Sequence, residues 1–300
     1  MNQQRDGHMQ MAQPAGRVAY EPNSLSEISP REVPAKGFHS AAVPETGGKG
    51  RIRAESFADH YSQARQFYLS QTAYEQAHIA SALVFELSKV EHAHVREAMV
   101  GHLRHIEEDL ANRVAAGLAF DKIPDVPVAA APVQEMKPSP ALRTIGKMKE
   151  TLMGRAIGIL IANGSDGAAI KKIKKAATYA GAAVKIVAPK VGGVKLADGS
   201  MLAADGQLAG TPSVLFDAVA VILSDEGAKA LSIESAAIDF VRDAFGHLKA
   251  IAVDKGGQAL LRIANVGQDA GVVDANNKDA FIAAAKTRQW DREKSVRALA

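Results

Sequence analysis

The sequence predicts an α/β protein in which a segment of three helices precedes a doubly wound parallel sheet. Between residues 57 and 118, apolar side chains recur three and four positions apart, which is the spacing of amphipathic helices. From residue 155 onward, short apolar runs alternate with helical stretches, which is the rhythm of βαβ units. The chain has 300 residues, and at about 150 residues per domain two folded units are expected.

The helical region follows an arm whose apolar residues show neither helical nor strand periodicity. Residues 1–56 contain five prolines and predict an extended arm that is disordered or laid across another surface. The predicted helices are 59–71, 73–90 and 94–118. Thr72 and Glu75 form a capping-box pair at the start of the second helix. Short connections predict that the helical domain, residues 57–120, is a small antiparallel cluster.

A proline-rich stretch separates the helices from the α/β region. Residues 121–150 are predicted to be an extended linker, followed by an α/β domain over 151–300. The predicted strands are 155–162, 183–189, 217–224 and 249–254, with a hairpin turn at 197–200. The predicted helices run from the 163–167 turn to residue 181, over 232–245, after a Gly256-Gly257 turn, and near 276–290. Nearly all strand residues are apolar, as in parallel strands covered on both faces.

Composition excludes several classes of protein. A net charge of +3, with lysine and arginine mixed among acids, argues against a nucleic-acid-binding surface. The absence of cysteine excludes disulfides, thiolate metal sites and cysteine nucleophiles, and it fits a reducing compartment. The N-terminus is polar, and apolar runs fall short of the ~20 residues of a membrane span. We therefore expect a cytoplasmic protein without membrane partners.

Two turns at the predicted carboxyl edge of the sheet are candidate ligand sites. The Asn163–Gly167 turn follows a strand and opens a helix, so its amides are placed to hold a phosphate. The structural alternative is a βα turn in which Ser165 or Asp166 caps the helix. Asp254, Lys255 and Gly256 follow a later strand, and together with Asn163 they form a candidate degenerate pocket; the alternative there is a structural turn.

Histidines and lysines give weaker signals. His102 and His105 stand three apart on one helix, near Glu108 and Asp109, but such pairs are more often solvated or interface histidines, and nothing nearby completes a ligand set. His92 and His94 are two apart and do not share a helical face. The lysine run at 171, 172, 174 and 175 either attracts an anion or is the solvated face of its helix. No metal ligand set is predicted.

Several continuous stretches carry a family resemblance. The segments QRDGHMQM (4–11), GRVAYEPNS (16–24) and the run from Phe57 to Ile106 resemble the part of haem catalases that follows the haem barrel. GRAIGILIANGSDGAAI (154–170) and LSDEGAKAL (223–231) resemble the flavodoxin-like terminal domain of large-subunit catalases. Ala73 stands where proline is usual in the family. The resemblance therefore covers both predicted folded units.

The resemblance implies a tetrameric haem enzyme that converts hydrogen peroxide to water and oxygen. It places the distal histidine and asparagine and the proximal tyrosine in the barrel, upstream of these segments, so no catalytic or haem-binding residue is carried over. ARQFY (64–68) lies in the helical segment, and Tyr68 is not expected to bind iron. The α/β domain also resembles class I amidotransferases, whose nucleophilic cysteine is replaced by the turn starting at Asp254, so that domain is expected to be catalytically silent.

Three functions are compatible with these observations. The first is an accessory portion of a large-subunit catalase that stabilises an oligomer through the barrel or other catalase subunits, without haem or peroxide chemistry of its own. The second is an independent chaperone-like or partner-binding module that uses exposed apolar surface. The third is an enzyme that uses Asp254 or a bound cofactor in place of the lost nucleophile.

Overall fold

The helical segment contains four α-helices rather than the three predicted. The computed structural model describes residues 50–298, so the predicted arm over 1–56 falls almost wholly outside it. After a 3-10 turn at Glu55–Ala58, the helices are α1 (Ser62–Ser70), α2 (Ala73–Ser88), α3 (Ala93–Ile106) and α4 (Glu108–Gly117). Their shared core includes Tyr68, Val100, Leu103, Leu110 and Val114.

The prediction of one helix over 94–118 was wrong, because the helix is interrupted at Glu107. This residue has φ −159° and ψ 132°, which is extended backbone. The guanidinium of Arg65, on α1, donates to the Ile106 carbonyl at 2.9 Å and pairs with the Glu107 carboxylate at 2.5 Å. A donor from another helix thus satisfies a carbonyl that the end of α3 leaves free.

The capping box at the start of α2 is confirmed, and it also holds the linker. Thr72 N donates to Glu75 Oε2 at 2.8 Å, and Glu75 N donates back to Thr72 Oγ1 at 3.4 Å. The other carboxylate oxygen of Glu75 accepts from Thr144 N at 2.6 Å and Ile145 N at 2.8 Å. Within the described range, no helix or strand lies between Gly117 and Ala156. The domain limits at 56, 120 and 150 stay predictions.

The α/β region is built on a six-stranded sheet of parallel strands. In chain order the strands are β1 (Ala156–Ile161), β2 (Ala183–Ala188), β3 (Val194–Lys195), β4 (Met201–Leu202), β5 (Gly206–Gln207), β6 (Ala218–Ile222), β7 (Ile251–Val253) and β8 (Val272–Asp274). The sheet order is β5-β2-β1-β6-β7-β8, and β3 and β4 form the predicted hairpin. The predicted flavodoxin-like, doubly wound architecture is confirmed, while β5 and β8 are additional.

Helices cover both faces of this sheet. They are α5 (Gly167–Tyr179), α6 (Asp225–Leu231), α7 (Ser235–Gly246), α8 (Lys255–Ile263), α9 (Lys278–Ala285) and α10 (Glu293–Val296). The apolar faces of α5 and α9 pack on one side, and those of α6, α7 and α8 on the other. Three predictions needed correction: α6 was not predicted, α9 ends at Ala285, and Gly256 and Gly257 lie inside the first turn of α8.

Two cationic side chains are buried beside the sheet. The Arg292 side chain is fully buried, donates to both carboxylate oxygens of Asp269 at 2.6 and 2.8 Å, and stacks on the Phe245 ring. Lys249 is 4% exposed, and its ammonium donates to the Ser213 carbonyl at 2.7 Å.

In the described range, no helix is both long and apolar enough to cross a bilayer.

Candidate functional site

The fold brings the predicted site residues to one edge of the sheet. Asn163 follows β1, Ser224 follows β6 and Asp254 follows β7, and these three strands are neighbours. The Ser224 hydroxyl donates to the Asn163 carbonyl at 2.8 Å, which joins the first two turns directly. This fold class binds ligands at the carboxyl ends of its parallel strands, which makes this edge the candidate site.

Asp254 is bonded to the backbone through both carboxylate oxygens. Oδ2 accepts from Leu223 N at 2.9 Å, and Oδ1 accepts from Gly257 N at 2.7 Å as the N-cap of α8. Burial raises the pKa of this carboxyl above its usual range, although the two amides favour its charged form. The side chain therefore holds α8 against β6, and its acceptor atoms already have protein partners.

The turn after Asp254 leaves no space for a ligand beneath it. A Cβ added to Gly256 would overlap the Leu223 carbonyl, and one added to Gly257 would overlap the Val221 carbonyl. The start of α8 thus packs on the backbone of β6. Lys255 is exposed and pairs with the Asp225 carboxylate at 3.0 Å.

The Asn163–Gly167 turn follows the structural alternative. Asp166 caps α5 by accepting from Ala168 N at 2.8 Å and Ala169 N at 3.3 Å, so those amides are occupied. Ser165 is fully buried, and its hydroxyl donates to the Ile222 carbonyl at 2.6 Å. Asn163 Oδ1 accepts from Lys195 N at 3.0 Å. The predicted pocket of Asp254, Lys255, Gly256 and Asn163 stays a prediction, and the structure gives each of its polar side chains a protein partner.

The histidine pair on α3 is engaged with an aromatic residue. The Tyr61 hydroxyl lies 2.8 Å from His102 Nδ1, and the Tyr61 ring centroid lies 5.1 Å from that of His105. His105 Nε2 is 2.6 Å from the Val126 carbonyl. Among residues 50–298, no group of three or more metal-ligating side chains stands together. His102 and His105 therefore connect α3 to Tyr61, and His105 also connects it to the linker at Val126.

The lysine run on α5 lies on the exposed face of the helix, which both alternatives allow. All four lysines are exposed, whereas Ile170, Ile173 and Ala177 are buried against the sheet.

The surface of α2 is the feature that sequence reasoning missed. This 16-residue helix is rich in alanine, leucine, isoleucine, valine and phenylalanine, yet only Ala80 is buried. Phe85 is 62% exposed, and Phe67 on the neighbouring α1 is 46% exposed. A sequence signal existed: apolar residues surround α2 instead of following one stripe, which is typical of a helix covered on several sides.

A cleft of about 500 Å³ lies beside α2, within the single unit formed by residues from Ala54 onward. Its walls include Phe67, Ile79 and Met148, together with Trp290 near the end of the α/β region. At its edge, His78 Nε2 on α2 lies 3.2 Å from the buried Glu293 carboxylate, an ion-pair distance without hydrogen-bond geometry. The apolar surface of α2 thus continues into a groove.

Comparisons with known proteins decide the family. Residues 54–118 match the family model described as catalase-related immune-responsive, and residues 153–292 match the C-terminal domain found in long catalases. This chain belongs to the long catalases. It is 46% identical to Catalase C of Rhizobium meliloti (strain 1021) and 36% identical to Catalase HPII of Pseudomonas aeruginosa, over 98% and 99% of this chain. It is 34% identical to Catalase-B of Dictyostelium discoideum over 98% of this chain.

The matched part corresponds to the C-terminal portion of these long catalases. The chain spans 43% of the length of the Rhizobium and Pseudomonas relatives and 44% of the Dictyostelium relative. The helical segment and the flavodoxin-like domain of the chain are therefore the post-barrel parts that the resemblance indicated.

Tyr61 and Tyr68 each have a protein partner for the hydroxyl group that would bind a haem iron. Burial raises the pKa of Tyr68 to about 12, and its hydroxyl donates to Asp109 at 3.4 Å. The Tyr61 hydroxyl is engaged by His102. Neither tyrosine lines the cleft beside α2.

Proposed function

We propose that this chain is the accessory C-terminal portion of a long catalase. It stabilises an assembly around a haem barrel that the described residues do not contain, and it does not decompose peroxide by itself. The observation that carries this proposal is α2, a mostly apolar helix in which only Ala80 is fully buried, while other apolar side chains pack on the core and remain partly exposed. Apolar residues distributed around a helix are typical of one that a second surface covers.

The exposed apolar side chains of the helical segment indicate the extent of that covering surface. Phe57, Phe67, Phe85 and Met99 are all at least 36% exposed. At ~25 cal/mol per Å² of apolar area, burying a phenylalanine contributes roughly 2 kcal/mol. Several such residues on one segment would contribute favourably to contact with a barrel domain or a neighbouring catalase subunit, and a homo-oligomer built this way is part of the proposal.

The carboxyl edge of the sheet supports an accessory role for the α/β domain. Both oxygens of Asp254 accept hydrogen bonds from backbone amides, and the space beneath Gly256 is filled by the backbone of Leu223 and Ser224, just after β6. A nucleophile needs a free reacting atom and a neighbouring base, and this turn offers neither. Haem, peroxide as substrate and a cytoplasmic location are proposed for the complete assembly from its relatives' catalase names and from the lack of cysteine.

The test is reconstitution with a separately expressed barrel portion of the Rhizobium relative. We expect the two to purify together and the complex to have a Soret band and evolve oxygen from peroxide. Phe85→Glu, which places a charge on the α2 face, should abolish co-purification. Ile263→Glu alters a residue of α8 with similar exposure, 54% against 62%, and should have no effect. The chain alone showing a Soret band with oxygen evolution, or a barrel that does not bind, would overturn the proposal.

The same exposed face is the observation that favours the second candidate, a chaperone-like module. That function predicts suppression of a client protein's thermal aggregation at near-stoichiometric amounts, weakened by Phe85→Glu. An absence of suppression by the wild-type chain discards this candidate and leaves the accessory role unaffected.

A further inference from the structure

The outer surface of α5 and α9 carries an unusual concentration of positive charge. α5 contains four lysines and no acid, and α9 with the residue after it adds two lysines and Asp279. The six lysines are Lys171, Lys172, Lys174, Lys175, Lys278 and Lys286. With one aspartate they give these two helices a net charge of +5, whereas the whole chain has +3. The rest of the chain is therefore net acidic.

Three of these lysines and one aromatic residue line a concave groove. The groove lies between α5 and α9, has a volume of about 570 Å³, and is lined by Lys172, Lys175 and Lys278, which we call the groove lysines. Tyr179 and Ile282 also line it, and Tyr179 is 94% exposed. On α5, residues 172, 175 and 179 follow the spacing of one helical face, so two of the cations and the ring stand together.

The polar atoms of the groove remain available to an anion. Lys172 donates to the Asn276 carbonyl at 2.7 Å, which positions its ammonium and leaves further protons free. Lys278 pairs with Asp279 at 2.6 Å, and Asp279 is the one carboxylate in the groove. Three lysines and one aspartate give the lining a positive net charge, which favours a ligand with more than one negative charge.

Aromatic exposure and multiple cations together define the ligand chemistry. An exposed tyrosine ring stacks on planar aromatic groups, and clustered lysines hold phosphates as point charges. The groove volume lies in the range of small-molecule sites. We propose that the groove between α5 and α9 binds an aromatic polyphosphate of the nucleotide class, with its ring on Tyr179 and its phosphates on the groove lysines.

Calorimetric titration of the chain with ATP, inorganic tripolyphosphate and adenosine tests this proposal. ATP should bind more tightly than tripolyphosphate, adenosine should not bind measurably, and added salt should weaken ATP. Tyr179→Ala should weaken ATP about tenfold and leave tripolyphosphate unchanged, because only ATP has a ring to stack. Equal binding of ATP and tripolyphosphate, or no binding of either, would overturn the proposal.

A matched pair of lysine substitutions distinguishes binding at a defined site from nonspecific attraction to the positive charge of the surface. Lys175→Gln removes a groove lysine and should weaken both polyphosphates about fivefold. Lys174→Gln removes the same charge from the next position of α5, outside the groove lining, and should change binding by less than about twofold. Equal losses in the two variants would refute a defined site. All of these residues are exposed, and unchanged thermal melting would confirm that each variant folds.

Discussion

Replacing Lys249 with methionine should abolish one component of the pH dependence of stability. Lys249 is buried directly before β7, and its ammonium donates to the Ser213 carbonyl at 2.7 Å. Its pKa is lowered from 10.5 to about 8, mainly by burial and also by the charge of Arg288, while Asp217 and Asp243 act in the opposite direction. The folded chain therefore holds this proton less tightly than the unfolded chain does.

The size and sign follow from that difference in pKa. A shift from 10.5 to about 8 corresponds to about 3 kcal/mol at pH values below both. Between pH 8 and 10.5 the unfolded chain binds more protons, so the free energy of unfolding rises with pH across this window. Lys249→Met removes the titration and also the hydrogen bond to Ser213, worth about 1 kcal/mol. Relative to wild type, the variant should lose about 3 kcal/mol between pH 7.5 and 10.5.

Urea denaturation at pH 7.5, 9 and 10.5 measures this, with the single tryptophan of the chain as the fluorescent probe. Taking the difference between variant and wild type cancels the titration of all other groups. Lys174→Met makes the same chemical change on the exposed face of α5 and should give a difference that does not vary with pH. A Lys249→Met difference that is equally constant would refute the assignment of a charged, buried amine.

Two further substitutions test the buried charge and the turn after β7. Asp269→Asn should destabilise the chain by about 3 kcal/mol in thermal or urea unfolding, because the buried Arg292 loses its counter-charge. Burial opposes the charged form of Asp269, but the hydrogen bonds and charge of Arg292 hold its pKa below 3.8, so its contribution should disappear as pH falls through that lower value. Asp254→Ala should cost about 2 kcal/mol by leaving two amides unpaired, whereas Lys255→Ala should change the free energy of unfolding by less than about 0.5 kcal/mol.

Local signals in the sequence predicted the elements whose causes are local. The capping box of Thr72 and Glu75 and the N-cap of α5 at Asp166 depend on side chains within three residues of the amides they bind. The apolar runs of the central strands likewise predicted β1, β2 and β6. By contrast, β5 has two residues and β8 three, too few to show a period.

Elements that depend on distant partners escaped prediction. Nothing in the sequence around Glu107 ends a helix, and the break is accompanied by Arg65, which lies 42 positions away. The predicted site residues did reach one edge of the sheet, because topology alone brings βα turns together. The bond from Leu223 N to Asp254, across 31 positions, could not be read from the sequence, and it is half of what engages that carboxylate.

The double engagement of Glu75 couples two parts of the chain. One oxygen of Glu75 binds the first turn of α2, and the other binds the amides of Thr144 and Ile145. If one set of contacts breaks, the other set still holds the carboxylate in place. Fraying of the helix start and release of the linker should therefore occur as one opening event. In amide hydrogen exchange, the amides of Thr72, Thr144 and Ile145 would exchange with a common rate, although about 70 residues separate them along the chain.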